Sequence, residues 1–162
     1  MNKIIKQNLY PLIYCIIGKT YSWKTELSNV LHEKTGIILL DFGKFLNEPD
    51  IIKSKKENKF VVSKLILKLR QMQDIKVLIE DLPQNKGQYT YFVNNCKTFQ
   101  KLYYLQADNS SCFERVNNIQ MKDPNYTDYT TLDKMLTESK KKSFIDFLKK
   151  ILMYKKLMLI II

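Results

Sequence analysis

Five short apolar runs divide the sequence into an alternating pattern. They cover Pro11–Ile17, Ile37–Phe42, Lys76–Asp81, Leu102–Ala107 and Leu157–Ile162. Each run is rich in isoleucine, leucine, valine or tyrosine, and none alternates cleanly between apolar and polar residues. This composition is typical of strands that are buried on both faces of a parallel sheet. The pattern therefore predicts five such strands.

The segments between these runs carry apolar residues at helical spacing. The apolar stripes are Leu27, Val30 and Leu31; Val62, Leu65, Ile66 and Leu69; Phe92, Val93 and Cys96; Cys112, Phe113 and Val116; Leu132, Met135 and Leu136; and Phe144, Phe147, Leu148 and Ile151. Alternating strands and helices predict an α/β class, a doubly wound, five-stranded parallel sheet flanked by helices. No repeat or linker interrupts the pattern, so residues 1–162 are expected to form a single domain.

The charge balance is strongly basic. Lys and Arg number 27 against 16 Asp and Glu, which gives a net charge of +11 and points to an anionic partner such as nucleic acid, an acidic protein surface or a nucleotide. However, Arg70 and Arg115 are the only arginines and alanine occurs once, a skew that indicates compositional bias across the gene. The basic segments also lack a nucleic-acid reader motif, so we do not expect nucleic-acid binding.

Cysteine and histidine usage argues against a metal site built from side chains. Cys15, Cys96 and Cys112 form no spaced pair, and the one histidine is His32, so a structural zinc ion lacks ligands. Buried thiols in a reducing, intracellular compartment are expected instead. The N-terminal stretch is basic and lacks acidic residues, so it resembles a targeting peptide and leaves import into an organelle open. No signal-peptide cleavage site follows it. No run approaches the roughly 20 residues that span a membrane.

The first predicted strand ends in a near match to a phosphate-binding loop. Residues Gly18–Thr25 read Gly-Lys-Thr-Tyr-Ser-Trp-Lys-Thr, which is the P-loop pattern with Trp23 in place of its second glycine. In such a loop the backbone takes left-handed angles that suit glycine, while a lysine and a helix N-terminus attract phosphate. An ordinary strand-to-helix turn is the alternative. The retained Lys24-Thr25 pair and the strand–loop–helix context favour a decayed P-loop with weak or no nucleotide binding.

Further segments, in order along the chain, resemble one enzyme family. Residues Gly36–Leu46 resemble the second strand and the Gly-Asp-Leu-Leu-Arg segment of adenylate kinases, and Val77–Gln84 resembles their Asp-Gly-Phe-Pro-Arg signature. Residues Leu105–Val116, with Glu114-Arg115, resemble the fourth strand and the Glu-Arg that opens the lid. The chain thus resembles a degenerate member of the adenylate kinase, or nucleoside monophosphate kinase, family, which has a P-loop NTPase fold.

This resemblance implies roles for six residues. Lys24 and Arg115 would be catalytic cations, and Gly18, Lys24 and Thr25 would hold the nucleotide phosphates. Glu80 would hold Mg²⁺ through water, and Gln88 would recognise adenine. ATP and Mg²⁺ would be the cofactors if nucleotide binding is retained. Each role has a simpler alternative. Glu80 and Asp81 at a strand end can cap a helix, Gln88 can be a surface helix residue, and Glu114–Arg115 can be a plain helical pair.

Several departures from the family predict lost catalysis. Asn47 and Gln84 stand where the resemblance places AMP-binding arginines, and Arg115 is the one arginine at a family position. Phosphoryl transfer depends on positioning and on neutralising charge, and lysine does not replace the bidentate arginine fork. We therefore expect a pseudo-kinase with no required cofactor. An active ATP-dependent nucleoside monophosphate kinase is the alternative.

The C-terminal part predicts an assembly role. The lid is expected to be a short connection over Asn117–Thr131, and the run Leu157–Ile162 lacks the family's covering C-terminal helix. An uncovered apolar strand usually marks an interface, so other protein subunits are expected to cover it. Degenerate adenylate-kinase-like domains occur in ciliary axonemes, which makes an acidic surface such as tubulin a candidate partner. The expected function is a structural or scaffold subunit of an intracellular assembly, cytoplasmic or cytoskeletal, including the cilium.

Overall fold

Strands and helices alternate along the chain. The structure, a computed structural model, describes residues 11–19, 21–54, 57–72, 75–122 and 157–161. The strands are β1 (Leu12–Gly18), β2 (Ile38–Asp41), β3 (Lys76–Glu80), β4 (Phe99–Gln106) and β5 (Leu157–Ile161). The helices are α1 (Lys24–Thr35), α2 (Phe42–Phe45), α3 (Pro49–Lys53), α4 (Asn58–Arg70), α5 (Lys86–Asn95) and α6 (Asn109–Lys122).

The sheet has β1 at its centre. The strand order is β2-β3-β1-β4-β5, and each neighbouring pair runs parallel. The expected α/β fold, a parallel sheet flanked by helices, is confirmed. Because the chain leaves β1 to build one side of the sheet and returns to build the other, the carboxyl end of β1 lies at a topological switch. Ligands of open α/β sheets bind at such points.

Each strand sends alternate side chains to opposite faces of the sheet. On one face, Ile13 and Ile17 of β1 belong to a large buried cluster that includes Val62 of α4 and Phe92 of α5. On the other face, Ile16 belongs to a smaller cluster, against which Leu27 and Leu31 of α1 and Leu39 of β2 pack. Both faces are therefore covered, as the continuous apolar runs predict.

Element boundaries differ from the apolar runs where polar contacts intervene. β2 ends at Asp41 rather than Phe42, because the Asp41 side chain accepts a hydrogen bond from the backbone N–H of Lys44 and begins α2. β4 begins at Phe99 rather than Leu102, since Phe99 already pairs with Ile13 of β1.

The helix stripes are confirmed in α4 and partly wrong in α1. All four predicted α4 residues, from Val62 to Leu69, are buried. In α1, Val30 is 43% exposed, whereas Lys24 and Ser28 are the buried residues. Leu27 and Leu31 pack against the core as predicted, and Lys24 is buried because its ammonium donates to carbonyl oxygens of the preceding loop.

The predicted lid connection is also partly wrong. Residues from Asn117 to Lys122 continue α6 instead of forming a loop. The remainder of the predicted lid and the stripes between Leu132 and Ile151 lie outside the described residues.

None of the helices that the structure describes is long and apolar enough to cross a membrane. The three cysteines are buried, as predicted, and burial raises the pKa of the Cys15 thiol well above its ordinary value.

Candidate functional site

Gly18 closes β1 at a point where no side chain fits. A Cβ at this position would come within 2.7 Å of both the Leu105 carbonyl oxygen and the Ser22 hydroxyl oxygen. The chain turns immediately afterwards, and the Ser22 N–H donates to the Lys19 carbonyl oxygen at 3.2 Å. The carboxyl end of β1 is therefore packed tightly between Leu105 of β4 and Ser22 of the following loop.

The loop keeps left-handed backbone angles without glycine. Tyr21 has φ 63° and Trp23 has φ 60°, and Trp23 stands at the position of the second P-loop glycine. Left-handed geometry costs a residue with a Cβ about 1–2 kcal/mol. Trp23 is also the N-cap of α1, yet its side chain makes no capping hydrogen bond. The backbone shape predicted for a phosphate loop is thus present, and the residue that begins α1 leaves the helix N-terminus without a side-chain cap.

The Trp23 ring packs against α6. The Arg115 guanidinium lies over the indole, 4.9 Å from the ring centroid, and also forms an ion pair with Glu26. The Lys19 ammonium donates to the Asn109 side-chain oxygen at 2.5 Å, which makes a second link between the loop and α6. Burial lowers the pKa of Arg115, an effect that neighbouring Tyr21 opposes. Arg115 therefore serves, in this arrangement, to hold the loop and two helices together.

Lys24 points back into the loop. Its ammonium donates to the carbonyl oxygens of Gly18 and Lys19, at 3.0 and 2.8 Å, and lies 3.4 Å from a carboxylate oxygen of Asp81. The Lys24 side chain is only 10% exposed. A buried ammonium needs such partners, because desolvation of an unpaired charge is costly. The lysine predicted to contact phosphate is thus placed at the loop and is bound there by groups of the chain itself.

Thr25 and Glu80 lie side by side at the ends of α1 and β3. The Thr25 hydroxyl donates to a Glu80 carboxylate oxygen at 3.2 Å, and Glu80 is buried at 9% exposure. A hydroxyl and a carboxylate are the hard oxygen ligands that Mg²⁺ prefers, and this ion usually takes few ligands from protein. The pair therefore fits Mg²⁺ chemically. Among the residues described, no three or more His, Cys, Asp or Glu side chains are grouped to hold a metal ion by themselves.

Gln88 is turned into the protein. It is 4% exposed, and its side-chain oxygen accepts a hydrogen bond from the backbone N–H of Gln84 at 2.8 Å. The backbone N–H of Gln88 donates to the Asn85 side-chain oxygen, and Asn85 thereby caps α5. Gln88 thus holds the turn before α5, and reading adenine stays a prediction for it. Asn47 and Gln84, which stand where the resemblance places arginines, are exposed.

The structure brings five of the six predicted residues to one place. Gly18, Lys24, Thr25, Glu80 and Arg115 surround the loop at the carboxyl end of β1, whereas Gln88 faces inward. Sequence reasoning assigned no role in the loop to Glu26 or to the carboxylate of Asp81. The position of Asp81 after a buried strand was the available signal, because carboxyl ends of parallel strands converge on this edge.

Comparisons with known proteins support the fold. No protein-family model matches the sequence, and no curated protein matches it. Among solved structures, the chain resembles a gluconokinase from Sinorhizobium meliloti 1021, with 12% identity, a TM-score of 0.51, and coverage of 77% of this chain and 75% of that chain. It also resembles a sugar kinase from Janibacter sp. HTCC2649, at 10% identity, a TM-score of 0.48 and 66% coverage of each chain. The gluconokinase likeness shows that the two chains share an α/β fold in which a parallel sheet is flanked by helices.

Proposed function

We propose that this protein is a catalytically degenerate P-loop kinase-fold protein that binds the polyphosphate of a nucleoside triphosphate weakly and acts as a structural subunit. One observation carries the proposal. Both cations that the resemblance assigns to catalysis are paired with carboxylates of the chain, Lys24 with Asp81 and Arg115 with Glu26. Each cation must leave its carboxylate before it can neutralise a transferring phosphoryl group, which weakens any catalysis that it could provide.

The positions expected to bind the phosphoryl acceptor support the same proposal. Asn47 and Gln84 occupy the positions of two acceptor-binding arginines, and neither carries a positive charge. Removing one well-placed group that stabilises transition-state charge costs about 2–4 kcal/mol. Two such losses slow transfer by at least about a thousandfold, since 1.4 kcal/mol corresponds to tenfold in rate. The residues at both ends of a phosphoryl transfer therefore argue for little or no turnover.

Binding of nucleotide is argued from what the loop retains. Gly18 and the left-handed angles at Tyr21 and Trp23 keep the backbone in a curled shape, and α1 begins without a side-chain cap. A helix N-terminus in such a loop attracts phosphate. Thr25 and Glu80 would hold Mg²⁺, which when bound bridges phosphate oxygens and offsets their charge. In this proposal Lys24 supplies one further positive charge once its ion pair opens.

The structural role rests on charge. A net charge of +11 suits an acidic protein surface, of which tubulin in a cytoskeletal or ciliary assembly is one example. Co-sedimentation of the purified chain with microtubules, and with microtubules whose acidic C-terminal tails have been removed by subtilisin, tests this partner. Tail-dependent, salt-sensitive binding supports it, and equal recovery in the supernatant with and without microtubules would exclude tubulin.

The catalytic part is tested with the purified chain, Mg²⁺–ATP and a set of acceptors that includes AMP and gluconate. We expect a rise in melting temperature of about 4 °C at a nucleotide concentration ten times the Kd, because ligand binding stabilises the fold by mass action. Lys24→Ala should abolish the rise. Acceptor-dependent ADP formation should stay at least about a thousandfold below ordinary kinase rates of about 1–100 per second.

An active kinase is the second candidate. The Thr25–Glu80 hydrogen bond and the position of Lys24 favour it, since both belong to a working loop. It predicts turnover with one of the acceptors at about 1 per second or faster. If the wild-type protein reaches such a rate and Lys24→Ala loses it, the protein is an active kinase and the proposal of catalytic degeneracy is wrong.

A further inference from the structure

Asp81 is a charged residue at the phosphate loop to which the resemblance gives no role. It follows Glu80, at the position where the resembling signature has glycine, and its φ of 61° is one that glycine adopts freely and other residues rarely. Its backbone N–H donates to the Ile16 carbonyl oxygen at 2.9 Å. The carboxylate is therefore held beside the loop by a backbone that is anchored to the end of β1.

The Lys24 ammonium has three N–H donors and meets three acceptors. Two are the backbone carbonyl oxygens of Gly18 and Lys19, and the third is a carboxylate oxygen of Asp81. The Asp81 side chain is 45% exposed, whereas that of Lys24 is 10% exposed, so the carboxylate is the more solvent-accessible member of the ion pair. A phosphate that arrives from solvent must displace this carboxylate before it contacts Lys24.

The other carboxylates near the loop have different partners. Glu80 accepts a hydrogen bond from Thr25, and Glu26 forms its ion pair with Arg115. Within the part of the chain that the structure describes, the ion pair of Lys24 is thus with Asp81. The charge of the loop lysine is neutralised by one identifiable side chain.

We propose that Asp81 determines the affinity of the loop for phosphate by competing, as an internal carboxylate, with an anionic ligand for Lys24. The proposal rests on the proposed function, in which the loop binds a polyphosphate. A bound polyphosphate must break the ion pair and then lie close to a negatively charged side chain. Both effects oppose binding, so removal of the Asp81 charge strengthens it.

Asp81→Asn tests this competition directly. Asparagine has nearly the same shape and tolerates left-handed angles, so the substitution removes the charge and keeps the backbone. We expect the Kd values for Mg²⁺–ATP and for inorganic tripolyphosphate each to fall about tenfold, a typical size for a coupling between two charged groups. Isothermal titration calorimetry measures the Kd. Trp23 is the single tryptophan and lies in the loop, so its fluorescence gives a second readout.

Glu48→Gln is the matched control. Glu48 forms an exposed ion pair with Lys68 at 2.6 Å and lies outside the loop, so this variant changes the net charge equally without touching Lys24. Its Kd values should stay within about twofold of those of the wild-type protein. Equal Kd values for Asp81→Asn and Glu48→Gln would overturn the proposal. So would an Asp81→Asn protein that is folded and binds neither ligand at 10 mM, which is about the weakest affinity of interest.

Melting temperatures without ligand show whether each variant is folded. If Asp81→Asn fails to fold, Asp81→Gly replaces it, because glycine adopts φ 61° without a steric cost and also removes the charge. The two proposals fail separately. Efficient acceptor-dependent turnover by the wild-type protein overturns catalytic degeneracy and leaves the affinity difference standing. Nucleotide binding without turnover, with unchanged affinity in Asp81→Asn, overturns the competition alone.

Discussion

The loops that follow β1 and β3 differ in how their polar groups are satisfied. Both leave a buried parallel strand at the same edge of the sheet, and both lead to a helix N-terminus. In the first loop, Trp23 begins α1 without a side-chain cap and two residues take left-handed angles. In the second, Asn85 caps α5, and Gln88 accepts the hydrogen bond of the preceding turn.

The second loop satisfies its polar groups with its own side chains, whereas in the first loop the start of α1 has no side-chain cap. Polar groups at a helix start need a partner, which is either a side chain of the protein or a bound anion. The second loop supplies its own partners. The first supplies one to Lys24 through Asp81 and leaves the start of α1 without a side-chain cap. We therefore expect charge changes around Lys24 in the first loop to change ligand binding, whereas substitutions that disturb the packing of the first loop or the capping residues of the second should change stability.

The largest effect is expected at Gly18, where the first loop can be broken. In Gly18→Ala, the added Cβ meets the backbone oxygen of Leu105 at 2.7 Å, which cannot move without disturbing β4. We expect a loss of about 3 kcal/mol in the free energy of unfolding, measured by urea denaturation. Gly43→Ala is the control, because its Cβ would meet only a side-chain oxygen of Asp41 at 3.1 Å. Equal losses in the two variants would show that the loop is not tightly packed.

The second prediction sharpens the role of Gln88. Gln88→Ala leaves the backbone N–H of Gln84 without its acceptor, and a loss of about 1–2 kcal/mol in unfolding free energy is expected. Gln88→Glu keeps an acceptor oxygen and should lose less. AMP affinity is measured in parallel by calorimetry. Unchanged stability combined with lost AMP affinity would assign Gln88 to a ligand site instead of the turn.

A smaller effect is expected from the link between the first loop and α6. Arg115→Met removes the ion pair with Glu26 and the charge over Trp23, and it should cost about 1 kcal/mol of unfolding free energy. Lys68→Met is a matched control, since Lys68 pairs with Glu48 and lies 5.4 Å from the Phe45 ring centroid at a more exposed site. It should cost less than half as much. A larger loss in Lys68→Met would contradict a special role for the α6 contact.

The smallest effect concerns the start of α6 and depends on pH. Hydrogen bonds from the Ser110 hydroxyl, and from the backbone and hydroxyl of Ser111, lower the pKa of Asp108 from 3.8 to about 2. Because the folded pKa lies below the unfolded value, this stabilisation is present above pH 3.8 and is lost as pH falls towards 2. Asp108→Asn should therefore lower the melting temperature slightly at pH 6 and flatten its decline between pH 4 and about 2. Parallel curves for both proteins would exclude the contribution.

Much of the fold follows from the apolar pattern. The runs around Ile13 and Val77 are continuous because both faces of the sheet are covered, and the α4 stripe from Val62 to Leu69 is buried as its spacing predicts. The α1 stripe fails at Val30, which is exposed, whereas the charged residue Lys24 is buried at the start of the same helix. The spacing of apolar residues predicts which face of a helix is buried. It does not predict that a charged residue on the helix is buried because it contacts a neighbouring loop.

The site was predictable in its residue types and less so in its contacts. The pattern from Gly18 to Thr25 located the loop, and the strand-end position of Glu80 located the carboxylate that meets Thr25. The contact of the Trp23 ring with Arg115 was not predicted. The direction of a side chain depends on neighbours from other elements, which local sequence does not specify.

The sequence alone determined the α/β class, the position of the loop that follows β1 and the residue types in that loop, since these depend on local spacing and residue chemistry. Tertiary structure decided that β1 lies between β3 and β4, and hence that Asp81 meets Lys24 and that Arg115 meets Trp23 and Glu26. Those pairings join residues far apart in the chain. They exist because parallel pairing brings the carboxyl ends of separate strands to one edge of the sheet, where charges must find partners on whichever element lies beside them.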